Sequence, residues 1–226
     1  MNFAEQQTLL SELLGDPNTS SDDQWPLARR KAALNRGDIQ FCKDSHCVRE
    51  YAIGVIASSE LAIPSGWLET FCLIINNVVI DNAREIDLHE WEKYQSTGSD
   101  DPFYYIWEYS GTRKMKFLAG SGVNGQTYEL YYFRKQVTAL DADADESIIP
   151  DEYREAPVYH AANWLLKQAG LTELAAQHRA EYDRFAIEAA LKTEKEYKKE
   201  NRPFPNLGKE NGEGGGYAQG DGGHFD

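Results

Sequence analysis

The sequence predicts an α+β fold in which two pairs of helices, one at each end of the chain, enclose a β insertion. Three observations predict it. Apolar residues recur at helical spacing in residues 3–43 and again in 153–189. Between them, from 49 to 137, apolar residues alternate or run in short stretches rich in β-branched and aromatic types. Beyond about residue 200, glycine and proline dominate and only isolated aromatics remain. The chain has 226 residues, 41% hydrophobic and 12% aromatic, enough to bury a core of this kind. The expected division is a bundle made of 1–48 and 141–200, a β-sheet or sandwich insertion over 49–140, and an extended Gly-rich tail over 201–226.

The elements follow in order. Residues 3–14 form a helix with Phe3, Leu9, Leu10, Leu13 and Leu14 as its apolar set, stopped by Gly15. After the turn-rich "DPNTSSDD", Ser21 or Asp22 caps a second helix that tolerates Pro26 in its first turn and runs to about Lys43. Leu27, Leu34 and Phe41, with Ala28 and Ala32 beside them, mark its buried face. "YAIGVIA" and "ELAIP" read as strands. "FCLII-NN-VVI" reads as a hairpin, because Asn76-Asn77 accepts the positive φ of a tight turn. "EIDLHEWEKY" has helical spacing, with Asp87 as its cap. "PFYYIWEY", "KMKFLA" and "TYELYYFRKQ" are three more strands, the last pointing Tyr128, Leu130 and Tyr132 to one side and Glu129, Tyr131 and Phe133 to the other. A third bundle helix buries Tyr153, Val158, Ala161, Ala162, Leu165 and Leu166, and Pro157 either kinks it or marks its first turn. A last helix, 172–200, carries Leu174, His178, Tyr182, Phe185 and Ala189 on one stripe; its charged second half need not touch the core.

Composition excludes several functions. The net charge is −14 and no basic run is present, which argues against a protein that grips nucleic acid. Cys42, Cys47 and Cys72 make an odd count without a disulfide framework. The first residues lack the charged and apolar regions of a signal peptide, and no apolar run reaches the ~20 residues of a membrane span. The expectation is synthesis in a reducing cytoplasm, with no membrane partner.

The chemical motifs are weak. "DADADESIIPDE" places Asp141, Asp143, Asp145 and Glu152 at calcium-loop positions. Position 6 is Glu146 instead of glycine, Pro150 intrudes, and a strand precedes it. An acidic turn whose last residues cap a helix explains the same letters. "GSGVNG", 120–125, lacks the helix that a dinucleotide site requires, so it reads as a glycine hairpin. Cys42, His46 and Cys47 have the wrong spacing for zinc and read as a helix end with buried thiols. His160 and His178 fall in helical stripes. No catalytic constellation stands out, and the reading is of a non-enzyme without cofactor or metal. The aromatic strands leave a binding module open, in which the insertion contacts a glycan or receptor with Trp67, Trp91 and Trp107 as reporters.

Taken in order, the segments "WPLARRKAALNRG", "LAIPSGWLETFCLIINNVVI", "EIDLHEWEKY", "PFYYIWEYSGTRKMKFL", "TYELYYFRK" and "IIPDEYREAPVYHAANWLLKQAG" resemble the bacteriophage head-to-tail adaptor (connector) proteins, including the podophage tail tubular protein A type. The resemblance covers about residues 3–190, with "IPDEY" the most telling piece. It departs at Pro157, at the "DADADE" insertion and in the tail. It implies a structural virion protein at the head-tail junction, made in the host cytoplasm. Such a protein forms a ring, typically of twelve subunits, that contacts the portal protein on one side and a downstream tail or nozzle protein on the other. DNA passes through its lumen without sequence readout. In the tail, Phe204, Leu207, Tyr217 and Phe225 are the expected partner-binding residues.

Overall fold

The computed structural model describes residues 1–15, 24–80, 86–97, 104–109, 112–118 and 121–199. Four bundle helices and two antiparallel sheets account for most of them, so the fold is α+β with a β insertion between the helical ends.

Helix α1, Phe3–Leu13, starts with a complete capping box: Glu5 N–H donates to Asn2 Oδ1 at 2.9 Å, and Asn2 N–H donates to Glu5 Oε2 at 2.8 Å. Helix α2, Leu27–Ser45, begins after Pro26 and ends at His46 in the left-handed conformation, φ 51°. Ser21 and Asp22, the expected caps, lie outside the described residues. The buried face of α2 is rotated from the expected one. Leu34 and Phe41 are buried, but Leu27, Ala28 and Ala32 are exposed, while Arg30, Ala33, Gly37, Asp38 and Cys42 face inward.

Helix α4, Ala156–Gln168, is the central element and packs against α1, α2 and α5, Thr172–Lys199. Pro157 sits in its first turn, where a missing N–H costs nothing, and a single 3-10 turn, Asp151–Tyr153, precedes it. All six apolar residues expected to be buried here are buried. On α5, Tyr182 and Ala189 are buried, but Leu174 is exposed and its neighbour Ala175 takes the inward place. The charged end of α5 does touch the rest of the chain: Thr193 is buried, Lys192 pairs with Glu152, and Glu196 pairs with Arg49.

The insertion begins with β1, Arg49–Val55, and β2, Glu60–Ala62. The hairpin of β3, Trp67–Ile75, and β4, Val78–Val79, turns on Asn76 and Asn77 at φ 51° and 62°, as expected. Helix α3, Leu88–Thr97, is capped by Asp87, whose Oδ1 accepts from Glu90 N–H at 2.8 Å. Strands β5, Tyr104–Tyr109, β6, Thr112–Phe117, and β7, Thr127–Arg134, complete it. One sheet has the order β1-β7-β3-β4 and the other β2-β6-β5.

The glycine segment does not make a β6–β7 hairpin, because those strands belong to different sheets. Residues 121–126 carry the chain from one sheet to the other. Ile56, Leu61, Leu73, Met115, Phe117 and Leu130 fill the space between the sheets.

Candidate functional site

The acidic loop is a structural clamp. Asp145 turns its carboxylate back to accept from the N–H groups of Asp141 and Ala142, at 2.8 and 2.9 Å. Those bonds hold its carboxyl below the usual carboxylate range. Asp141 pairs with Lys31 at 2.9 Å, Glu146 with Arg154 at 3.2 Å, and Glu152 with Lys192. These four carboxylates therefore point to four different partners. The loop's carbonyls do further work: Phe3 and Ala4 at the start of α1 donate to Asp145 O and Asp143 O at 2.9 and 3.1 Å. Among the described residues, no group of three or more His, Cys, Asp or Glu side chains is placed to hold a metal ion.

Two residues that sequence reasoning missed complete the clamp. The Asn35 amide pairs with the backbone of Leu140, donating to its carbonyl at 2.9 Å and accepting its N–H at 2.7 Å. The Arg154 guanidinium donates to the carbonyls of Ile149 and Met1, both at 3.1 Å, and pairs with Asp151 at 3.0 Å. An arginine three residues after Asp151 was a visible signal, but its reach to Met1 was not.

The cysteines and histidines scatter. Cys42, Cys47 and Cys72 form no disulfide; burial pushes the Cys42 thiol up to about 12 and that of Cys47 to about 11, so both stay protonated. His46 stacks edge-on against Phe133 at 4.8 Å and faces Glu69 at 3.5 Å. His160 is buried against Tyr182, 5.1 Å between rings, and its pKa is lowered by burial and by Arg179 and Arg36. Tyr182 in turn donates to Asp44 at 2.6 Å.

The aromatic strands have two unlike faces. Leu130 and Tyr132 are buried between the sheets with Tyr128 beside them, and Tyr131 and Phe133 lie on the opposite face. Of the three expected reporters, Trp67 and Trp91 are buried and Trp107 is half-buried. The exposed apolar side chains include Tyr51, Ile53 and Val55 on the sheet, and Leu174, Ile187 and Leu191 along α5 with Leu171 just before it. No described helix is long and apolar enough to cross a membrane.

The described residues thus present exposed apolar surface on both the sheet and α5. Residues 1–203 match the sequence model of the SU10 adaptor protein family. The chain belongs to that family. No curated protein matches it. The adaptor is a structural phage protein, and its family is not an enzyme family. The match spans both helical ends and the whole insertion. It stops where the Gly-rich tail begins. The four tail residues expected to bind a partner, Phe204, Leu207, Tyr217 and Phe225, lie outside the described residues.

Proposed function

We propose that this adaptor assembles as a ring, of twelve copies by the resemblance, between the portal and the tail, in the manner of the podophage tail tubular protein A type. The family match over 1–203 carries this reading, because it includes every element of the bundle and the insertion. In it, residues 1–48 and 141–200 form the ring's bundle domain, 49–140 the insertion domain it carries, and 201–226 an extension. The portal protein and a downstream tail or nozzle protein are the ring's neighbours. DNA passes through the lumen unread. The charge of −14 per subunit supports passage without adhesion. Phe204, Leu207, Tyr217 and Phe225 are the tail's proposed contacts.

The test is mass. Light scattering or native mass spectrometry of the protein, alone and with portal rings, should give a ring-sized species in at least one case. A monomer that ignores every portal overturns the reading. Truncation after Asn201 should block docking to the portal without changing the subunit's fold; normal attachment would show the tail to be dispensable.

A further inference from the structure

The outer face of the four-stranded sheet combines exposure, aromatic order and a neighbouring chain end. Paired residues share a face of a sheet. One row across it is therefore Tyr51, Tyr131 and Cys72, and the next is Ile53, Glu129, Ile74 and Val79. Tyr51, Ile53, Val55 and Val79 are 62%, 67%, 59% and 50% exposed. An aromatic ladder leads out from the bundle: Phe133 to Phe71 at 4.8 Å, Phe71 to Tyr131 at 6.2 Å, and Tyr131 stacked on Tyr51 at 5.9 Å. Beyond it, Ile53, Val55, Ile74 and Glu129 border a hollow of about 380 Å³.

Helix α5 ends at the base of this face. Arg49, in the first row of β1, donates to Glu196 Oε2 at 2.6 Å, three residues before α5 ends at Lys199. The sequence then reads "ENRPFPNLG", residues 200–208. We propose that the segment Arg202–Leu207 lies across this face of its own subunit, with Pro203, Phe204 and Pro205 on the aromatic ladder and Leu207 in the hollow.

Reach permits it. At about 3.3 Å per extended residue, residues 200–207 span roughly 26 Å, and the distance from Arg49 to Val55 is about 20 Å. Chemistry favours it as well. Proline-rich segments pack on aromatic-lined surfaces, and their fixed φ lowers the entropy lost on ordering. Glu69 and Glu129 lie on the same face and complement Arg202. Docking would cover the apolar side chains that the sheet leaves in water. It also narrows the tail's partner contacts to Tyr217 and Phe225, which follow the run of glycines in the sequence.

The native thiol of Cys72 reports on it. In the full-length chain, Asn206→Cys should link to Cys72 through a short bis-maleimide, within one chain, as read by intact mass and peptide mapping. Gly214→Cys is the control for random encounter of a tethered tail. A held segment should react about tenfold faster than the control, by its higher effective concentration. Adding Phe204→Ala to Asn206→Cys should bring the rate down toward the control. Equal rates for the two positions would overturn the proposal. So would a linked dimer, which would assign the face to the tail of a second copy.

Discussion

Asp38 is fully buried in the middle of α2, with one carboxylate oxygen accepting from Ser147 Oγ and no hydrogen-bond partner for the other among the described residues. Burial raises its pKa from 3.8 to about 6, against the lowering effects of Ser147 and Arg154. The raised value means that the folded state holds a proton the unfolded chain has released. Between about pH 4 and 6 the folded protein binds more protons, so its stability falls as pH rises through that window. The charge is uncompensated above it, at a cost of roughly 3 kcal/mol. Asp38→Asn removes this dependence. The stability of the variant relative to wild type should therefore rise by roughly 2–3 kcal/mol between pH 4 and pH 8, in urea titrations at each pH. A difference that stays flat across that range would show that Asp38 is not the titrating group. The pairing was illegible in the sequence because Asp38 and Ser147 are 109 positions apart. Asn35 with Leu140 is hidden for the same reason, although each residue by itself looks ordinary.

Among the elements, the period of each was easier to read than its phase. Helix and strand types followed from spacing, and the cap at Asp87 and the Asn76-Asn77 turn follow from local chemistry alone. The buried face of α2 did not follow, because it is set by what α4 brings against it. Gly37 shows how. A Cβ there would lie 2.4 Å from the carbonyl oxygen of Pro157 and 3.0 Å from its Cα. The two helices thus meet backbone to backbone, and alanine, with no flexible neighbour to displace, has no room. Two effects of Gly37→Ala oppose each other. Helix propensity favours alanine by about 1 kcal/mol. Overpacking against a fixed backbone costs typically 1–3 kcal/mol. The second should win, giving a less stable protein with a lower Tm and unchanged helix content by circular dichroism. A Tm at or above wild type would mean that α2 and α4 can slide apart cheaply. Leu174 and Ala175 teach the same lesson on α5: a larger apolar residue beside a smaller one is not thereby the buried one, since α4 approaches closely enough to prefer alanine.

For the whole molecule, the proposed ring raises the question of what would let copies carrying −14 each come together. Like charge opposes assembly over a Debye length of about 8 Å at physiological salt, so apolar contact must exceed it at close range. The exposed apolar residues of α5 are candidates, with Ile187 60% and Leu191 49% exposed one turn apart. Full burial of such a side chain contributes about 1.5–3 kcal/mol. Replacing both by glutamate removes that gain and adds two negative charges to a surface already rich in them. Ile187→Glu with Leu191→Glu should leave the subunit folded, because neither side chain belongs to a core cluster. Its assembly should weaken by at least a hundredfold, from about 3 kcal/mol at 1.4 kcal/mol per decade. Sedimentation velocity of wild type and variant, with portal rings where these are needed, measures the loss. Raising the salt separates the two causes. Added salt screens charge but does not restore apolar contact, so a deficit that persists at 0.5 M salt places α5 in the interface between copies. A deficit that salt abolishes would be electrostatic only, and unchanged assembly of the variant would remove α5 from the contact altogether.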